Sequence, residues 1–270
     1  MLRPVSAVLA AALFVVCAGS AAPSGPLHAQ NALTADELIA RNFKAKGGLE
    51  KWKSIDSIKQ TVHLVSQGAP AEMTMYSKRP NLQRQELSVQ GQLAVSAFDG
   101  KTAWIIHPQL GPDPVVLSGL QAQMTKDQSD FDGPLVDYKD KGSTLELVGE
   151  EMTDGVQTYH LKLTRKNASD PGAPERVEHV FLDATTFLET KVVSDSNMGG
   201  SAMTIETEFA NYKTVDGVTI PFSIKTRSNG VLAVEMTVNT VEFNVKLDDA
   251  FFRMPVKVTR FSPVASGENR

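Results

Sequence analysis

Cysteine is almost missing. Of 270 residues only Cys17 is a cysteine, and it falls within the first thirty. Beyond it, thiol nucleophiles, thiolate metal sites and disulfides are excluded, so a packed core must hold the chain together. Charge of one sign is also lacking. Lysine and arginine (27) and aspartate and glutamate (31) leave a net charge of −4, with no basic block, which argues against nucleic acid as a partner. No apolar run of membrane length follows the first segment, so the mature protein is expected to be soluble. The sequence has no H-E-x-x-H, no G-x-S-x-G and no phosphate loop. No catalysis, cofactor or metal is therefore expected. His63, His107, His160 and His179 fall on separate predicted strands and read as edge histidines.

The first segment has its own logic. "MLRPVSAVLAAALFVVCAGSAAPSGPLHAQ" carries Arg3, an apolar run from Val5 to about Ala18, and then small residues. That is the pattern of a secretory signal peptide. Pro23 argues against a cut after Ala22, so residues 1–29 are assigned to the leader. Lipidation of Cys17 is the lesser alternative, because Val16 stands where a small residue is wanted. Residues 30–258 are assigned to one domain and 259–270 to a tail. Asn167-Ala168-Ser169 fits a glycosylation pattern that carries no weight in a bacterial host.

The domain opens with a helix. In "LTADELIARNFKAKGG", Thr34 and Glu37 form a capping box, Leu38, Ile39 and Phe43 make an apolar stripe, and Gly47-Gly48 end it. "LEKWKSIDSI" predicts a short second helix bearing Trp52. From Ile58 the period changes to two. Met73 and Met75 alternate with Thr74 and Tyr76, and Tyr159, Leu161 and Leu163 with His160 and Lys162. Met203, Ile205, Thr207 and Phe209 share a face, as do Val234, Met236 and Val238. These are half-buried antiparallel strands. Asp99-Gly100, Asp154-Gly155, Asp216-Gly217 and Asn229-Gly230 supply the hairpin turns between them. Residues 117–133 break the rhythm and predict a mid-chain helix, with Leu120 and Met124 on one side. The expected fold is mainly β with helices (α+β), a long meander that curls or closes to protect its edges.

"SDFDGPLVDYKDKG" (129–142) concentrates Asp130, Asp132, Asp137 and Asp140. Its spacing fails the calcium-loop pattern, because Gly133 directly follows Asp132 and Lys141 falls where the bidentate Glu should stand. The four read as solvated loop carboxylates, dispensable for binding, on a hinge whose Leu135, Val136 and Tyr138 matter more. The nine methionines are the positive signal. Methionine adapts to varied apolar ligands, and the sheet is large for the helices that could cover it, which favours a cavity over a filled core.

"YSKRPNLQRQE" (Tyr76–Glu86) followed by "FDGKTAWIIHP" (Phe98–Pro108), with "LDDAFFRMP" (Leu247–Pro255) at the end, resembles the periplasmic outer-membrane lipoprotein carriers, the LolA family. The motif positions are Lys78, Arg79, Pro80 and Asn81, then Asp99, Gly100, Lys101, Thr102, Trp104 and Pro108. The resemblance implies a half-open antiparallel β-barrel of consecutive hairpins with a helical lid. It implies that Arg79 holds the lid closed through hydrogen bonds, as a guanidinium can. Residues 129–142 and "NYKTVDGVTIPFSI" (Asn211–Ile224) sit closer to a broader group of lipoprotein-sorting homologues whose cargo differs.

The expectation is a non-catalytic, monomeric periplasmic carrier in a Gram-negative-type envelope, for the acyl chains of lipoproteins or a related lipid. Transport from an inner-membrane donor toward an outer-membrane acceptor would be its task. Met73, Met75, Trp104, Ile106, Met203, Ile205 and Met236 are the expected lining. An envelope sensor or protein-interaction module on the same fold is the alternative. A hydrolase using Asp137 with a histidine is a third reading.

Overall fold

Alternating sequences with glycine-bearing turns fold by pairing each strand with the next, and that local rule builds most of this molecule. A computed structural model describes residues 33–89, 91–166, 175–198 and 201–256. The leader with Cys17, the Asn167–Ser169 pattern and the tail lie outside the described residues. Two helices come first, α1 (Ala35–Ala45) and α2 (Leu49–Lys53). Then follow β1 (Ser57–Ser66), β2 (Ala69–Lys78), β3 (Leu82–Val89), β4 (Gln92–Asp99), β5 (Ala103–His107) and β6 (Gly111–Val116). After α3 (Gly119–Gln128) come β7 (Thr144–Thr153), β8 (Val156–Arg165), β9 (Arg176–Asp183) and β10 (Glu189–Met198). β11 (Ser201–Val215), β12 (Val218–Ser228) and β13 (Val231–Phe243) complete the strands.

All thirteen strands form one antiparallel sheet in the order β6-β5-β4-β3-β2-β1-β13-β12-β11-β10-β9-β8-β7. The expected single meander is therefore two meanders, interrupted by α3 and joined where the first strand meets the last. Ile58 opposes Phe243 and Leu64 opposes Met236 in that join. The barrel stays open, with β6 and β7 as its edges.

Directly opposed residues in antiparallel strands share a face, so the register divides the sheet into two. The inner face, on which the helices pack, carries Val62, Met73, Met75, Phe222, Met236 and Val238 in one cluster. The outer face is mostly wet. Its exception is a patch of Val95, Ala97, Trp104 and Ile106 under a 3-10 turn at Asp249–Phe252. Trp104 is 0% exposed, and its indole N–H donates to the Phe252 carbonyl at 2.9 Å.

Helix α1 starts on the expected capping box, Thr34 with Glu37. Its buried residues are Leu38, Ile39 and Asn42, so the inward stripe turns through Asn42 where Phe43 was expected. Three contacts fix the helix to the sheet. The Asn42 amide donates to Phe187 O (2.7 Å), Lys46 pairs with Glu189 (2.7 Å), and the Thr219 N–H donates to Lys46 O (3.0 Å). Burial pushes the Glu189 carboxyl up, but the Lys46 ammonium outweighs this and holds it below the usual carboxylate range. At the helix end Gly47 has φ 106°, and a Cβ there would stand 2.0 Å from the Gly217 carbonyl oxygen. Only glycine fits that contact.

Trp104→Ala is expected to destabilise the protein by about 3–5 kcal/mol through cavity formation. Phe252→Ala should cost about as much, and the double variant less than their sum, because the two side chains share one patch. Urea unfolding of the three variants measures this.

Candidate functional site

Arg79 directly follows β2 and sets the geometry of the site. Its Nε donates to the Ile55 carbonyl (2.7 Å), its Nη2 to the Trp52 carbonyl (3.2 Å) and its Nη1 to Asp132 Oδ2 (2.6 Å). The guanidinium also lies 4.4 Å from the centroid of the Phe131 ring. The Trp52 indole N–H donates to the other oxygen of Asp132 (2.8 Å), and Trp52 packs on Phe131. One side chain thus ties the end of α2 to the segment that follows α3. The Trp52 carbonyl already accepts the Ile55 N–H (3.1 Å), and the guanidinium uses its second lone pair. Burial pushes the Asp132 carboxyl up, while Arg79 and the Trp52 N–H together hold it below its ordinary range.

The aspartates of 129–142 need correcting. Three of them make ion pairs, and in two, Asp130 and Asp132, the carboxylate is half-buried. Asp130 pairs with Lys141 (2.7 Å), Asp132 with Arg79 (2.6 Å) and Asp137 with Lys53 (2.7 Å). Asp137 and Asp140 are both exposed and match the solvated reading. The partners lie up to 84 residues away, so no local spacing could reveal them. Between them, Phe131, Leu135, Val136 and Tyr138 are buried, and the Tyr138 hydroxyl donates to Asp36 at the start of α1 (2.6 Å). The segment is an anchor.

Helix α3 contrasts with that anchor. It has no buried residue, and Leu120 (41%) and Met124 (39%) are exposed. Its far attachments are an Asp127–Arg176 ion pair on β9 and a long Gln85–Gln128 hydrogen bond on β3 (3.5 Å). It crosses the inner face from one half of the sheet to the other. Beneath one flank lies a cavity of about 640 Å³, walled by Ile105, Val115 and Leu117 and roofed by Gln121 and Met124.

The structure divides the seven candidate lining residues into three groups. Met73, Met75 and Met236 pack on the inner-face cluster of Val62, Phe222 and Val238. Met203 and Ile205 lie on the same face, further along β11, where Ile205 opposes Ser228. Trp104 and Ile106 do not line that face, which is a correction. They point to the outer side, and Ile105 takes the inner position opposite Ser96. The run Ala103-Trp104-Ile105-Ile106 is apolar on both parities, so alternation could not assign it. An inner-face row of Leu64, Met236, Ile224 and Phe209, of which the sequence reading named only Met236 as lining, crosses four adjacent strands. Apart from Leu64 its members are half-buried, not sealed.

The histidines are less scattered than expected. His160 Nε2 lies 2.7 Å from His179 Nδ1, and His160 Nδ1 lies 2.6 Å from Glu151, all on the outer face. Burial and the neighbouring His160 push His179 down. Among the described residues no group of three metal-ligating side chains forms. Asp137 pairs with Lys53, not with a histidine.

The arrangement defines a class, the half-open antiparallel barrel with an apolar inner face under a helical cover. Solved structures share it and give the chain a LolA-like fold. A LolA superfamily protein from Nitrosomonas europaea superposes with TM-score 0.56 at 14% identity, over 82% of this chain and 98% of that one. A DUF1329 family protein from Desulfovibrio piger gives 0.55 at 13%, over 81% and 97%. An outer membrane lipoprotein-sorting protein domain from Vibrio parahaemolyticus gives 0.52 at 13%, over 79% and 97%. No protein-family model matches the sequence, and no curated protein matches it.

Asp132→Asn keeps the shape and removes the charge. It is expected to cost about 1–3 kcal/mol near neutral pH. A carboxyl held low in the folded state stabilises above its unfolded pKa, and that contribution is lost as pH falls through the folded value. The gap between wild type and variant should therefore close toward about pH 3, as read by urea unfolding across pH. A gap independent of pH would refute the assignment.

Proposed function

We propose that this protein is a non-catalytic carrier that holds an acyl chain of a lipoprotein or related lipid on its inner face, beneath α3. The observation that carries the reading is the unsealed apolar surface. Met73, Met75, Ile205, Phe209, Ile224 and Met236 are half-buried, where a filled scaffold would bury them fully. The cavity of about 640 Å³ beside α3 falls within the range of roughly 300–1,000 Å³ typical of small-ligand sites. The likeness to a lipoprotein-sorting domain supports the same reading.

The energetics suit a carrier. Each buried methylene contributes roughly 0.8 kcal/mol, so a palmitoyl chain represents on the order of 12 kcal/mol of hydration cost. A soluble escort must hide it, and must still let it go at a membrane that would hide it as well. The anchored segment and the ties of Asp127 and Gln128 all hold the C-terminal end of α3, and a cover held at one end can lift from the other. Arg79, Asp132, Trp52 and Phe131 are then the hinge that holds the closed position. The leader read in the sequence is consistent with an envelope location, with transfer toward the outer membrane as the task.

Met236→Glu places a charge in the apolar row and is expected to weaken binding of a fluorescent fatty acid by about tenfold or more. Thr237→Glu, one residue on and on the outer face opposite His63, should leave binding unchanged. Equal effects of the two, or a wild-type protein that binds no acyl probe, would sink the proposal.

A further inference from the structure

A second cavity, of about 290 Å³, lies on the other flank of α3, where the helix ends over the last residues of β8 and the first of β9. Its lining is charged, where that of the first contains no lysine, arginine, aspartate or glutamate. Lys126, Lys141, Arg165, Lys166 and Arg176 face it, against the carboxylates of Asp127 and Asp130. The chain as a whole is acidic, with a net charge of −4, so this is a local concentration of positive charge. Carboxylates hold three of these cations in place. Arg176 pairs with Asp127, Lys141 with Asp130 (2.7 Å), and Arg165 with Glu178 (2.9 Å) just behind the cleft. Lys141 also donates to the Gly133 carbonyl (2.6 Å) and so stays fixed at the cleft wall.

The placement says what kind of ligand this suits. Lys126 and Asp127 of α3 line the basic cleft, and Gln121, Met124 and Thr125 of the same helix line the apolar cavity. An α-helix with its side chains is only about 10 Å across. One molecule can therefore keep a chain in the apolar cavity and reach the cleft with a polar end. Two guanidinium groups with flanking ammonium groups suit the several oxygens of a phosphoryl group, to which arginine can donate in pairs. We propose that the cleft binds the phosphate-bearing headgroup of an amphiphile whose acyl chain lies in the cavity on the opposite flank of α3. The inference rests on the carrier reading for its acyl half and on the cleft alone for its anionic half. It also ties cargo to the cover, because a phosphate on Arg176 competes with Asp127, the residue through which α3 holds β9.

The experiment compares palmitoyl lysophosphatidylglycerol with monopalmitoylglycerol, which share a chain and of which only the first carries a phosphate, by displacement of a fluorescent fatty acid. Wild type is expected to prefer the anionic lipid by about tenfold. Lys166→Glu and Arg176→Gln should each remove most of that preference, and Lys166→Glu should leave monopalmitoylglycerol binding and the thermal melt unchanged. Lys166 is exposed, so its variant keeps the test open if Arg176→Gln disturbs the fold. Equal affinity for the two lipids, or a preference that survives in Lys166→Glu, overturns the headgroup assignment and leaves the carrier reading standing. If neither lipid binds, the carrier reading fails, and with it the amphiphile. Titration calorimetry with inorganic phosphate then decides the cleft. Binding that Arg176→Gln abolishes reassigns it to a free anion, and no heat overturns it as an anion site.

Discussion

The Arg79 guanidinium is the point on which the arrangement turns. Its three donors reach two carbonyls around the end of α2 and the carboxylate of Asp132, and its face lies against Phe131. None of these groups is deeply sealed, since the ion pair leaves about a fifth of each side chain accessible (21% and 23%). Such a pair is worth more than an exposed one and less than a buried one. That middle value suits a latch. It is strong enough to define a closed position and weak enough for the position to be left. With Trp52 bonded to the same carboxylate, the latch is cooperative, so loss of one member weakens the rest.

What the latch closes is a surface that the sheet alone cannot finish. A thirteen-stranded antiparallel sheet presents far more inner face than α1, α2 and α3 can cover. Helix α1 seals the β7–β10 side, where Leu161, Leu163, Val180 and Leu182 are buried. The 3-10 turn at Asp249–Phe252 seals the outer patch around Trp104. The middle of the inner face is left half-exposed, and α3, which meets β3, β4, β5 and β9, buries no residue of its own. Apolar area left in that state is costly in water. A ligand that covers it gains the free energy that folding left unused.

The same helix separates two chemistries. An apolar cavity lies on one flank and a basic cleft on the other. Neither alone specifies an amphiphile. In the proposed reading their spacing across a single helix does, because a chain and a headgroup are covalently joined and must be met within one molecular length. The His160–His179 pair, by contrast, lies on the outer face of β8 and β9 and takes no part in this division.

Much of the fold was legible because it is local. Period-two alternation marks strands whatever their partners, and it placed Met73, Met75, Met203, Ile205 and Met236 on one face, since neighbouring strands in register carry that parity across. The capping box of α1 was legible for the same reason, its two halves being three residues apart. Where both parities are apolar, as at Ala103–His107, the local rule has nothing to separate. The 3-10 turn that chooses Trp104 for the outer face arrives 148 residues later. Asp132 read as a solvated charge because its partner Arg79 lies 53 residues away. The basic cleft draws on α3, the segment after it and two strands beyond, so it exists only once the helix crosses the sheet. Backbone periodicity is a property of neighbours and is written in the sequence by itself. Charge pairing and the choice of face where both are apolar depend on which distant groups share a dielectric and exclude water together, and only the tertiary structure decides that.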